Sequence, residues 1–145
     1  MKRKRPVLVA LLFVAGSLFV VAAQVAGAQS KSNFNGTWKA PVAVNGMSCT
    51  FTLVMSAGQH YSEMLQCGTM ATSQSGTYVF SNGKLVRTVT DWAPKTQYVK
   101  TATGGFYQKT ARPPGGTFHV TFPSADSMVW VDANLGGSLT YNRVK

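Results

Sequence analysis

Residues 47–67 read MSCTFTLVMSAGQHYSEMLQC, and their pattern decides the fold. Apolar side chains fall on every second position, with Cys49, Phe51, Leu53 and Met55 on one arm and Tyr61, Leu65 and Cys67 on the other. A period of two belongs to a strand with one buried face. Between the arms, the SAGQ stretch supplies small and glycine residues suited to a turn. Folding the arms together about Gly58 sets Cys49 opposite Cys67. Directly opposed antiparallel residues lie roughly 4.5–5.5 Å apart at Cα, a separation that a disulfide spans. These are the only two cysteines, and no Cys-x-x-Cys suggests a redox or metal pair instead.

The same grammar runs outward in both directions. Residues 76–89, GTYVFSNGKLVRTV, hold Asn82-Gly83, a two-residue turn that favours a hairpin because both positions accept positive φ. Pairing about it puts Tyr78 across from Arg87 and Phe80 across from Leu85. Residues 117–132, TFHVTFPSADSMVWVD, predict a third hairpin turning at Pro123–Asp126, with Phe118, Val120 and Phe122 beside Val129 and Val131 and with His119 and Trp130 on the reverse face. A first strand from Phe34 to about Val44 and a last strand, SLTYNRV, bring the total to eight, or nine if TQYVKTAT adds another. Residues 91–116 form the one irregular stretch, rich in aromatic and basic side chains, and long connections of this kind are often binding loops or lids. Consecutive hairpins predict an all-β, up-and-down antiparallel barrel with no C-terminal helix, whose closure removes exposed edge strands. A two-sheet sandwich would use the same strands.

Gly36-Thr37-Trp38 on the first strand and Arg143 on the last belong together in such a barrel, since closure makes those strands neighbours. A guanidinium over an indole face is a cation–π contact worth about 0.5–2 kcal/mol. This combination resembles the lipocalins and the wider calycin superfamily, specifically their short bacterial lipocalin-like members. The resemblance implies a small-molecule-binding barrel in which Trp38 and Arg143 are structural.

Ahead of the barrel, MKRKRP is followed by an uncharged run from Val7 to Ala23 and the small-residue stretch ending at Ala28. This is the pattern of a signal peptide, residues 1–28, with the barrel domain at 29–145. It predicts an exported protein, periplasmic or secreted, unless the segment stays as an anchor. Four of the fourteen Lys and Arg lie within this leader, leaving ten against four acids. Such a surplus favours weak association with an anionic envelope surface. Export and the scattered placement of the charges argue against nucleic acid as a partner.

Chemistry is sparse. Two histidines, four scattered acids and no nucleophile, phosphate-loop or zinc motif point away from an enzyme and from any cofactor or metal. Glu63 and Arg87 stand out because the hairpin register places both on apolar faces, where an unpaired charge is costly. They read either as an internal salt bridge or, with Tyr61 and Tyr78, as the few polar groups of an apolar ligand pocket. Trp92 and Trp130 complete the candidate ligand-binding set. The expected ligand is a small hydrophobic or anionic amphipathic molecule, with Arg87 meeting the anion. The competing expectation is an envelope-associated interaction or inhibitor protein with a filled core, engaging an anionic polymer or protein through residues 92–116.

Overall fold

The computed structural model describes residues 34–145; the expected signal peptide, residues 1–28, lies outside the described residues. Within them the alternating segments form ten strands and no α-helix: β1 (Gly36–Val44), β2 (Met47–Ser56), β3 (His60–Cys67), β4 (Met70–Ser81), β5 (Lys84–Ala93), β6 (Thr96–Thr101), β7 (Gly104–Lys109), β8 (Gly116–Ser124), β9 (Ser127–Asp132) and β10 (Ser138–Arg143). Eight of them close into an up-and-down antiparallel barrel in the order β1-β10-β9-β8-β5-β4-β3-β2, while β6 and β7 form a separate two-stranded sheet.

The first hairpin has the register its alternation predicts. Cys49 pairs with Cys67, Leu53 with Glu63 and Met55 with Tyr61. The two cysteines form a disulfide with Cα atoms 4.4 Å apart. Asn82 and Gly83 both take positive φ, 52° and 73°, and place Tyr78 opposite Arg87 as expected.

The third hairpin departs from expectation. Its turn is Ala125–Asp126, and a register shift between Thr121 and Ser124 sets Val120 opposite Trp130. Trp130 therefore points into the barrel and is 3% exposed, whereas His119 stays outside. A bulge changes which face a residue meets, and alternation alone could not place it. The stretch 91–116 is also more ordered than a loop, because β5 continues to Ala93 and β6 pairs with β7 throughout.

The two ends of the barrel differ. At one end, strands β1 and β10 pair at Trp38↔Arg143 and Lys39↔Asn142. The indole there donates to the Phe34 carbonyl at 2.8 Å, and the Arg143 guanidinium lies 4.1 Å above its ring. Gly36 makes room for this contact: a Cβ at its position, where φ is +132°, would sit 2.7 Å from Arg143 Nη1. Phe34 packs edge-on against Phe80 and Phe122, and Leu85, Met55 and Met128 fill the space behind them. Towards the other end, β1 beyond Lys39 has no partner in β10, and β5 beyond Arg87 has none in β8. Pro113 and Pro114, which lack a ladder donor, precede β8 at that seam. The barrel is thus zipped and filled at one end and splayed at the other.

Candidate functional site

Midway along the barrel, where filling gives way to space, Glu63 lies on the inner face of β3 and is 7% exposed. Its Oε1 accepts from Gln74 Nε2 at 2.8 Å, and its Oε2 accepts from Arg87 Nη1 at 3.0 Å and from Tyr141 Oη at 2.9 Å. Three donors from three other strands meet one carboxylate. That explains how a charge survives inside an apolar wall, since a buried ion pair persists only where further hydrogen bonds satisfy it. Arg87 is caged on its other sides by Phe118, Tyr61 and Trp130, with ring centroids 4.7, 5.1 and 5.4 Å from the guanidinium carbon. Burial, together with the charge and hydrogen bond of Glu63, holds the Tyr141 phenol protonated far above its ordinary range. Burial also pushes Tyr61 up, partly opposed by Arg87 and reinforced by Glu63.

Above this network lies a pocket of about 370 Å³ whose wall includes Phe51, Glu63, Leu65, Gln74, Trp92 and Pro94. A second pocket of about 210 Å³ shares Phe51 and Glu63 and adds Arg87, Trp130, Leu139 and Tyr141. Each pocket lies beside one of the two splayed seams. The larger is bounded by the end of β5 and by Thr110–Pro113, the smaller by the start of β10.

Trp92 reaches the pocket because of a bulge. Gly76 pairs with Val89 and Ser75 with Asp91, so Thr90 is the extra residue and the strand's parity switches. Downstream of it, Trp92 faces Gln74 on the inner side, where straight alternation from Arg87 and Val89 would have sent it outward. Gly76 is required at the crossing, since a Cβ there would lie 1.8 Å from the Thr88 carbonyl oxygen. The indole then donates to Thr110 Oγ1 at 3.1 Å, and Lys95 Nζ sits 3.5 Å from its ring centroid.

Of the sequence-derived candidates, Glu63, Arg87, Tyr61 and Trp130 come together around the ion pair, and Trp92 stands above it at the pocket mouth. Tyr78 is buried against Phe34 in the filled end and borders neither pocket. Trp38 and Arg143 lie at that same end. Gln74, Tyr141 and Phe51 were missed as site residues. Gln74 and Tyr141 carry no motif, and only a strand-by-strand register around the closed barrel could have brought them to Glu63. No protein-family model matches the chain, and no curated protein matches it in sequence.

Proposed function

We propose that the protein is an exported, non-enzymatic carrier that holds a small apolar or amphipathic molecule in the splayed half of a lipocalin-like barrel. The observation that carries this reading is the pocket of about 370 Å³, walled by Phe51, Leu65, Trp92 and Pro94 and floored by Glu63 and Gln74. Its size and its mix of apolar wall with a few fixed polar groups are those of small-ligand sites. The charge of Arg87 is already matched by Glu63 through Nη1, although its buried Nε has no hydrogen-bond partner among the described residues, and the larger pocket is lined by Glu63 and Gln74 instead. The reading therefore favours a neutral head group that donates a hydrogen bond, such as a hydroxyl, over the anion that Arg87 alone suggested. The disulfide fits an oxidising compartment, in keeping with export to the periplasm or beyond. The competing reading, an envelope-associated interaction or inhibitor protein with a filled core that engages an anionic polymer or protein through residues 92–116, draws on the packed end and on the basic residues of that segment, and leaves the pocket without a role.

Native mass spectrometry of the protein purified from its own host, followed by denaturing extraction, tests the proposal. A co-purifying small apolar molecule, lost in a pocket-filling Leu65→Trp variant, is the expected result. Bare protein that also fails to take up a medium-chain fatty alcohol would overturn it.

A further inference from the structure

The up-and-down order sends the turns of the barrel alternately to its two ends, and these turns differ in what they expose. At the closed end, Ala57–Gln59, Asn82–Gly83 and Ala125–Asp126 carry no large apolar side chain. At the open end every connection presents one. Met47 follows the first turn, Met70 the second, and Leu135 lies in the last; Met70 is 63% exposed and Leu135 87%. The β6–β7 hairpin adds Tyr98, Phe106 and Tyr107, the last 77% exposed.

The hairpin is apolar on both sides. Tyr98 opposes Tyr107 on one face, with their rings 5.3 Å apart, and Val99 opposes Phe106 on the other. Lys100 and Lys109 share the tyrosine face, one on the tip side of the rings and the other on the barrel side. From Trp92 to Ala125 the chain holds Lys95, Lys100, Lys109 and Arg112 and no acid; Lys95 is paired with Asp91 at 2.7 Å, so the surplus charge rests on Lys100, Lys109 and Arg112. Towards the closed end the exposed apolar side chains are valines (Val79, Val86 and Val144), whereas the exposed aromatic and Leu side chains gather at the open end with Met47 and Met70, and such a gathering marks an interaction surface. Here they come from four separate connections and are accompanied by cations.

We infer that the open end docks on the headgroup layer of an anionic lipid bilayer. Tyrosine rings suit the boundary between headgroups and acyl chains. The lysines that flank them on either side, Lys100 and Lys109, reach the anionic headgroups while their methylene stems stay in the apolar layer. A linear anionic polymer would draw on the basic residues and one aromatic face, and would leave Met47, Met70, Leu135 and Phe106 in water. A bilayer interface takes up all of them at once, and this favours lipid over polymer. Docking in this pose sets the pocket mouth against the membrane, so that an apolar ligand passes between bilayer and barrel without crossing water. That last consequence rests on the carrier reading; the docking itself does not.

Co-sedimentation of the mature, disulfide-bonded protein with phosphatidylglycerol-containing vesicles and with pure phosphatidylcholine vesicles tests the inference. Binding to the anionic vesicles is expected, with loss of about tenfold or more when Phe106→Ser and Tyr107→Ser are combined. A loss of about tenfold to thirtyfold is expected for Lys100→Gln with Lys109→Gln. Dextran sulfate serves as a soluble polyanion control. Absence of vesicle binding overturns docking. So does vesicle binding that tracks dextran sulfate binding and ignores the aromatic substitutions, since the partner would then be a polyanion met by charge alone. Circular dichroism of the same variants reports that they are folded, and fatty-alcohol uptake separates the two readings: retained uptake without docking, or docking without uptake, identifies which has failed.

Discussion

The closed and open ends of this barrel are built from the same strands, yet only one is packed. At the closed end, Trp38 is fully buried, hydrogen-bonded and covered by Arg143, and the ladder between β1 and β10 runs past it. At the open end, Trp92 has one polar contact and a lysine above it, and the neighbouring strand has already left the sheet. Two tryptophans thus do opposite things, one sealing the core and the other lining its vacancy. Eight strands leave an interior that side chains can fill or that can hold one small ligand, and here each outcome occupies half of the barrel. The Glu63 network marks the boundary between them.

Truncating both indoles separates the two ends by the largest expected effect. Trp38→Ala is expected to cost about 3–5 kcal/mol in urea unfolding, as large-to-small changes in sealed cores do. Trp92→Ala should cost under about 2 kcal/mol, because a partly exposed ring leaves no enclosed cavity, while weakening uptake of the fatty alcohol. Equal costs would mean that the two ends are packed alike.

At the boundary, Glu63→Ala strands Arg87 among three rings and should destabilise by about 3–5 kcal/mol. Replacing both partners, with Glu63→Leu and Arg87→Met, should recover part of that loss, since no charge is orphaned, while the Tyr141 hydroxyl and the Gln74 amide lose their acceptor. A double variant as unstable as the single one would show that the pair is needed for more than mutual neutralisation.

A smaller effect is expected with pH. Tyr141 and Tyr61 both have folded-state pKa values raised by burial. A raised value means that the folded state keeps a proton the unfolded state releases. Their contribution is therefore complete below about pH 10 and declines above it, at up to about 1.4 kcal/mol per pH unit for each group. Denaturation midpoints followed upward from pH 9 or so check this, and Tyr141→Phe should flatten the alkaline decline.

How much of this could be read in the chain follows from where alternation holds. The Gly58 and Asn82-Gly83 turns lie between unbroken periods of two, so the disulfide, the Tyr78–Arg87 register and the meeting of Glu63 with Arg87 were all legible. Alternation failed at the two bulges. Thr90 turned Trp92 inward, and the shift after Thr121 moved Trp130 from the outer face to the core. A bulge is one residue long and leaves no periodic trace. Trp38 and Arg143 were legible as a pair because closure brings the first and last strands together. Tyr141, two residues earlier on the same strand, escaped notice because its partner depends on how far around the barrel Glu63 stands.

The three tryptophans report on three heights of the barrel, with Trp38 at the closed end, Trp130 beside the ion pair and Trp92 at the open mouth. Their indole N–H resonances, followed in two-dimensional NMR spectra during titration with a medium-chain fatty alcohol, test the half-filled barrel directly. Trp92 is expected to shift most, Trp130 less, and Trp38 to stay in place. Movement of Trp38 comparable to that of Trp92, or no movement of any indole at saturating alcohol, would contradict it.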